Sequence, residues 1–181
     1  MIPLKSKITK KILNYFFINP HESLYGNELS RKLALDKRNL VKKIKELEQE
    51  GILTHQTRGN LKLYSISTRY PLYRELRKII MTTVGVEEQL RRLFEGIDGI
   101  QEIYIYGSYA KDTMDAHSDI DLLIVGSVNA VVAQKHISKL RRDLDRDINV
   151  IVLDYADFKQ RIKNKDPFIS GILKQKHIRV L

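Results

Sequence analysis

The stretch EIYIYGSYAKDTMDAHSDIDLLIVG, residues 102–126, sets two apolar runs on either side of a Gly-Ser pair and a polar loop. EIYIYG and DIDLLIVG both have the β-branched and aromatic composition of buried strands, and SYAKD between them is typical of the start of a helix. Asp119 and Asp121 stand two residues apart where the second strand begins. Side chains two apart along a strand share a face, so we expect both carboxylates to point together and Ile120 to point into the core.

Two carboxylates on one face predict a cation site. Like charges repel each other unless a cation lies between them, and Mg²⁺ is commonly held by a few carboxylates together with substrate phosphates and water. Gly107 and Ser108 open the preceding helix. Their free backbone N–H groups and the Ser108 hydroxyl are suited to bind phosphate. The combination predicts phosphoryl or nucleotidyl transfer.

The order Gly-Ser, a ten-residue spacer (109–118) and Asp-x-Asp resembles the signature of minimal nucleotidyltransferases of the DNA polymerase beta superfamily. The resemblance extends over residues 98–181. It implies an enzyme that moves NMP from an NTP, here ATP, to an acceptor hydroxyl with the help of Mg²⁺. The roles it implies are nucleotide binding by Gly107, Ser108 and Ser118, and catalysis and metal binding by Asp119 and Asp121.

The sequence departs from this family at two positions. The resemblance implies a third metal-binding carboxylate on a later strand, within RDINVIVLD, and the matching position is Asn149, which offers only a neutral carbonyl. Asp147 lies two residues earlier on the same face and is the alternative ligand. The family also has glycine after the basic residue of the helix start, where this chain has Asp112, whose charge repels phosphate. A charge at Asp112 is expected to weaken nucleotide binding, and a site without a third charge at Asn149 or Asp147 is expected to hold metal poorly and to bind nucleotide without turning it over.

The charge of the chain is concentrated in its first part. The 181 residues carry a formal net charge of +10, and all of that excess lies within residues 1–80. A one-sided basic balance is typical of a protein with a polyanionic partner, because each neutralised phosphate releases condensed counterions.

Three helical patterns and a hairpin pattern follow one another in this basic part. The first helix stops before Pro20, Asn27 is the expected N-cap of the second, and Asp36 is the expected N-cap of the third, which Gly51 ends. The runs ILTHQ and LKLYSIS are separated by TRGN, which suits a hairpin turn. Residues 5–68 therefore resemble a winged helix-turn-helix, with 37–50 as the recognition helix and 57–61 as the wing tip. The resemblance implies binding of double-stranded DNA through Arg38, Asn39, Lys42, Lys43, Lys45 and Arg58.

A helical linker is predicted between the two parts. An apolar stripe begins after Pro71, and a second one ends at Gly96. The linker either bridges the domains or pairs two subunits in a homodimer. The expected fold class is α+β: a winged helix-turn-helix domain (1–68), a linker (69–97) and a small mixed α/β nucleotidyltransferase domain (98–181).

Composition also bears on the compartment. The chain has no cysteine, so it has no disulfide framework and no thiolate metal site, and its N-terminus lacks an apolar run of the length that a signal sequence or a membrane span needs. We expect a cytoplasmic protein that has no contact with a membrane.

Two functions remain open from the sequence. The first is a Mg²⁺-dependent nucleotidyltransferase coupled to DNA binding. The second is a DNA-binding transcription regulator whose nucleotidyltransferase-like domain is inactive and senses a nucleotide or a partner. The resemblance to prokaryotic regulatory and toxin-antitoxin proteins implies that both can hold together, with a toxin as the partner protein.

Overall fold

The computed structural model describes residues 5–115 and 117–181. The chain divides into two compact units, one ending at Val86 and the other beginning at Glu87. Within the described residues, no helix combines the length and the apolar composition that a membrane crossing requires.

The first unit combines helices with a small antiparallel sheet. Its strands lie in the order β1-β3-β2, and Gly59, with a φ of +58°, forms the turn of the β2–β3 hairpin as the sequence predicts. Asp36 caps α3 as predicted, because its carboxylate accepts from the Asn39 backbone N–H at 3.0 Å. The elements are α1 (Lys7–Ile18), β1 (Leu24–Tyr25), α2 (Gly26–Lys32), α3 (Lys37–Gln49), β2 (Leu53–Arg58), β3 (Leu61–Ile66) and α4 (Tyr73–Val84).

Two local predictions for this unit need correction. Asn27 is not the N-cap of the second helix, because α2 already begins at Gly26. The helix start is stabilised instead by Glu28, whose carboxylate accepts from the Tyr25 backbone N–H at 2.8 Å. The sequence pattern also missed β1, a strand of two residues that exists only through its pairing with Leu63 and Tyr64 of β3.

The segment predicted as a linker contributes one helix to each unit. The helix α4 begins at Tyr73, two residues after Pro71, and its apolar face is buried within the first unit, where the Tyr73 ring lies edge-on to Phe17. The helix α5 (Val86–Phe94) starts at the boundary and buries Leu90 and Phe94. Each helix belongs to a unit because its apolar stripe packs into the core of that unit.

The second unit is a mixed four-stranded sheet with helices, as predicted. The strand order is β6-β5-β4-β7, in which β5 and β6 run parallel and the other neighbours run antiparallel. After α5 the elements are β4 (Ile100–Tyr106), α6 (Gly107–Lys111), β5 (Ile120–Gly126), α7 (Ala130–Leu144), β6 (Ile148–Leu153), α8 (Tyr155–Lys163), α9 (Pro167–Lys174) and β7 (Ile178–Arg179).

Both faces of this sheet are buried in its middle. Leu122 and Ile124 of β5 are fully buried on one face, and Leu123 and Val125 are fully buried on the other. The second face packs against α8 and α9 through Phe158, Ile169 and Ile172. Asp121 stands two residues before Leu123 and so belongs to this second face, at the end of the sheet where the core stops.

Candidate active site

The site is a row of three side chains across three neighbouring strands. Asp121 of β5 is paired directly with Tyr106 of β4 and with Asn149 of β6. Residues paired in this way share a face of the sheet. The row lies where β4 ends and one residue after β5 and β6 begin, and the next residue after Tyr106 is Gly107, which begins α6.

Asp119 joins this row from the loop that precedes β5. The Asn149 side-chain amide donates to Asp119 Oδ2 at 3.1 Å and, at the long limit of a hydrogen bond, to Asp121 Oδ1 at 3.5 Å. Ile120, between the two aspartates, has no exposed surface. The alternation of a strand therefore directs both carboxylates to one side, as expected from the sequence, and the amide of Asn149 bridges them.

The carboxylate of Asp121 lies in an unfavourable environment for its charge. Burial raises the pKa of Asp121, the hydrogen bond from Asn149 acts in the opposite direction, and the negative charge of Asp119 adds to the rise. The pKa of the neighbouring Tyr106 is also raised, by burial first and then by the charge of Asp121. A bound cation would lower the pKa of Asp121, because it favours the charged form of the carboxylate.

Gly107 is required by the position of the Asp121 carboxylate. Its φ of +72° lies in the left-handed region, and a Cβ at this position would approach Asp121 Oδ2 to well under the 3.0 Å that real Cβ atoms keep. The carboxylate therefore rests against the backbone where β4 turns into α6. Packing against Asp121 thus requires glycine at this position, independently of any role of the Gly-Ser pair in binding phosphate.

The loop between α6 and β5 is held by its own side chains and by Arg146. The Ser118 hydroxyl donates to the Asp115 carboxylate and accepts from the Asp115 backbone N–H, both at 2.9 Å. Arg146 Nη1 donates to the carbonyl oxygens of Asp115 and Ser118, both at 3.0 Å. The Ile120 N–H donates to the Asp147 carbonyl at 3.0 Å. These bonds fix the loop next to Asp119, and sequence reasoning missed Arg146 because it lies about thirty residues further along the chain.

The donor set of the site fits a hard divalent cation. Asp119 and Asp121 supply two carboxylates, and a half-turn of the Asn149 amide replaces its NH₂ with a carbonyl oxygen. The Asp147 side chain is exposed and precedes Asn149 by two residues. In the described part of the chain, no group of three or more acidic or histidine side chains is arranged to hold a metal ion. A cation here would depend on phosphate and water for its remaining ligands.

The residues predicted to contact DNA lie in the first unit. Arg38, Asn39, Lys42 and Lys45 are exposed on α3, and Arg58 is exposed at the end of β2. Lys43 differs from these, because it is partly buried and its ammonium pairs with the Glu46 carboxylate at 2.7 Å.

The family of the second unit is shown by sequence comparison. The family model for the nucleotidyltransferase domain matches residues 85–180, so the chain belongs to this family. No curated protein matches the chain.

Several solved structures show weak likenesses to the chain. A toxin-antitoxin complex with AMP-PNP is 19% identical over 53% of this chain and 73% of that one, with a TM-score of 0.40. The complex of a tri-AMPylated HEPN toxin with the MNT antitoxin of Shewanella oneidensis is 17% identical over 52% and 68%, with a TM-score of 0.35. A MarR-family transcriptional regulator from Rhodococcus sp. RHA1 is 16% identical over 78% and 76%, with a TM-score of 0.45. Likenesses of this strength do not define a function.

Proposed function

We propose that the protein is a Mg²⁺-dependent nucleotidyltransferase that moves NMP from an NTP to an acceptor hydroxyl. The observation that carries this proposal is the convergence of Asp119 and Asp121 on the Asn149 amide, directly beside the backbone at Gly107. A nucleotidyl transfer needs a cation site and a phosphate site in contact with each other, and this end of the sheet offers both.

Each residue of the site has a separate task in this proposal. Asp119 and Asp121 hold Mg²⁺, and either Asn149 or Asp147 completes the protein ligands. When bound, Mg²⁺ supplies the positive charge that activates an acceptor hydroxyl and neutralises the departing pyrophosphate. Gly107 and Ser108 bind the triphosphate with backbone N–H groups and a hydroxyl. Ser118 keeps the loop in place through Asp115 and has a second lone pair left for a ligand.

Calorimetric titration tests the site. A non-hydrolysable ATP analogue is titrated into the full chain with and without Mg²⁺, and the titration is repeated on the double variant Asp119→Asn, Asp121→Asn. We expect binding that needs Mg²⁺ and is lost in the double variant. The matched control Asp154→Asn changes a carboxylate that caps α8 instead. Binding that is indifferent to both Mg²⁺ and the double substitution would remove these aspartates from the site.

Turnover is then measured directly. The protein is incubated with Mg²⁺ and ATP labelled in the α-phosphate, and transfer of label to protein, RNA and small-molecule fractions is followed. Incorporation that disappears in the double variant supports the enzyme. Mg²⁺-dependent binding without any transfer supports the alternative, a regulator whose second unit senses nucleotide or a partner protein such as a toxin. Asn149 favours that alternative, because it bridges the two carboxylates without adding a charge.

The first unit is proposed as a winged helix-turn-helix that binds double-stranded DNA. Its three helices and hairpin follow the expected order, and α3 carries exposed basic and amide side chains on one face. Arg38, Lys42 and Lys45 are the proposed contacts on α3, with Asn39 at its start and Arg58 on the hairpin. Lys43 contributes less in this proposal, because Glu46 already neutralises it.

Asp112 bears on the choice between enzyme and sensor. Its φ of +64° is left-handed, so the position at which the family has glycine is one where the backbone favours glycine. The substitution Asp112→Gly removes a carboxylate while suiting this backbone. If the charge repels phosphate, this variant binds the ATP analogue more tightly than the parent.

A further inference from the structure

A pocket of about 290 Å³ opens beside the proposed transfer site. It lies between the end of β4 and the helix α9, and its lining includes Tyr106, Gly107, Phe168, Gly171, Gln175 and Lys176. Tyr106 and Gly107 link it to the site, because Tyr106 is paired directly with Asp121 and Gly107 touches the same carboxylate. The pocket and the carboxylates therefore share one end of the sheet.

The walls of this pocket are aromatic. The rings of Tyr106 and Phe168 meet edge to face, with their centroids 6.0 Å apart and an interplanar angle of 85°. Phe168 is 40% exposed, although Ile169 and Ile172 on the same helix are buried in the core. Among the lining residues that the structure describes, none is acidic, and the polar groups come from Gln175, the cationic Lys176 and the hydroxyl of Tyr106. Such a surface suits a flat, polarisable and uncharged ring system that is joined at one end to a negatively charged group.

Gly171 keeps the pocket open at a cost to the helix that carries it. It lies inside α9, where glycine stabilises a helix less than alanine does. Apart from its chain neighbours and the adjacent backbone of its own helix, a Cβ at this position would meet no atom of the described residues within 4 Å, and the backbone here does not adopt the left-handed conformation that favours glycine. The packing of this part of the chain therefore gives no reason for the missing side chain. What the glycine leaves free is the space of the pocket.

We propose that this pocket binds the nucleobase and sugar of the nucleoside triphosphate, with the base against Phe168. This inference rests on the proposed nucleotidyl transfer. The volume of the pocket is close to the lower limit for ligand pockets, about 300 Å³. A pocket of this size suits part of a nucleotide better than a segment of a protein acceptor. Stacking on an aromatic side chain accepts any base, and Gln175 supplies both a donor and an acceptor for its edge. A triphosphate at Gly107 and Ser108 would enter the pocket from the side of Asp121.

The test compares a ligand that has a base with one that has none. A non-hydrolysable ATP analogue and inorganic tripolyphosphate are titrated separately, both with Mg²⁺, into the parent chain and into Phe168→Ala and Gly171→Leu. We expect each substitution to weaken binding of the nucleotide about tenfold or more and to leave binding of tripolyphosphate unchanged. Gly171→Leu fills the pocket while it improves the helix, so a loss of binding in this variant does not arise from unfolding.

The control is another exposed aromatic residue of the same unit. Tyr155 is 38% exposed on α8, close to the value for Phe168, and it does not line the pocket. Tyr155→Ala is expected to bind both ligands as the parent does. Thermal melting of all variants shows that each is folded at the temperature of the titration.

The other outcomes contradict the proposal in distinct ways. Unchanged nucleotide binding in both variants would assign the pocket to the acceptor or to another ligand. An equal loss for nucleotide and tripolyphosphate would show damage to the phosphate site rather than loss of a base contact. A parent that binds tripolyphosphate as tightly as nucleotide has no base pocket, although its phosphate site stands. A parent that binds neither ligand overturns the proposed function and this inference together.

Discussion

At the scale of single residues, Gly107 affects both the path of the backbone and the position of the Asp121 carboxylate. Its left-handed φ turns the chain out of β4, and the missing side chain makes room for the carboxylate of Asp121. The two constraints are separable by experiment, because Gly96 has a similar φ of +78° and a Cβ there would meet no atom of the described residues within 4 Å. Gly96 is therefore a matched control for the backbone contribution alone.

We expect Gly107→Ala to destabilise the protein more than Gly96→Ala does. The left-handed backbone costs each alanine about 1–2 kcal/mol. The clash with Asp121 adds about 1–3 kcal/mol at Gly107, which is typical of overpacking. The free energies of unfolding are measured with denaturant, and equal values for the two variants would show that the carboxylate moves away freely.

Asp121 makes the stability of the parent depend on pH. In the unfolded chain its carboxyl has the ordinary pKa of about 3.9, and in the fold this pKa is raised by burial and by the charge of Asp119. Between these two values the folded state keeps a proton that the unfolded state has released. Stability contributed by this group is therefore lost as pH rises through that interval.

The variant Asp121→Asn removes this dependence. Without metal, we expect it to be more stable than the parent at neutral pH, with the difference opening as pH rises from about 3.9 and staying constant above the raised pKa. Its Mg²⁺ affinity should fall by more than the roughly 10- to 100-fold that loss of an outer-shell partner causes. The check is thermal melting across pH, with Asp143→Asn, at an exposed position of α7, as control. A parent as stable as Asp121→Asn at neutral pH would contradict the raised pKa.

At the scale of elements, the register of three strands decides which residues form the site. Asn149 reaches both aspartates because β6 runs parallel to β5 with Asn149 opposite Asp121. The same register makes this position the natural place for a third carboxylate. The presence of asparagine rather than aspartate at position 149 can therefore be tested directly by substitution.

We expect Asn149→Asp to lower the melting temperature when no divalent cation is present, because three carboxylates then share one end of the sheet. The same variant should bind Mg²⁺ at least about tenfold more tightly than the parent, which corresponds to about 1.4 kcal/mol. Saturating Mg²⁺ should then reverse the loss of stability, by about 2.7 kcal/mol at about a hundred times the dissociation constant. Melting curves with and without Mg²⁺ decide the matter, and a variant that is destabilised equally in both would show that no cation binds there.

Sequence reasoning succeeded at this scale where the signal is local. The Asp36 cap, the hairpin turn at Gly59 and the shared face of Asp119 and Asp121 each depend on residues a few positions apart. The Arg146 contacts, the strand β1 and the pocket under α9 depend on partners far along the chain. The prediction of Asn27 as the N-cap of α2 was wrong because Glu28 stabilises that helix start from inside the helix.

At the scale of the whole molecule, the charge is divided between the units. The positive excess lies in the first 80 residues, while the rest is balanced. The first unit therefore attracts phosphate by itself, and the second binds anions only where its local geometry allows it. Binding of DNA should accordingly depend on salt through the first unit alone.

We expect Lys42→Ala with Lys45→Ala to weaken binding to double-stranded DNA and to reduce the slope of log K against log salt by about two. The control pair is Lys135→Ala with Lys139→Ala, two exposed lysines on α7 of the neutral unit. Fluorescence anisotropy at several salt concentrations measures both slopes. The proposed DNA face of α3 would be excluded by a slope that the control pair changes as much as the α3 pair does.

Substitutions at Gly171 can also be used to measure the size of a ligand in the proposed pocket. Replacing this glycine by alanine, valine and leucine adds carbon atoms in graded steps to a space that the fold leaves free. The smallest substitution that abolishes binding of a given compound shows how much space that compound needs in the pocket. A panel of purine and pyrimidine compounds measured against this series would therefore rank candidate substrates by size, even before the acceptor is identified.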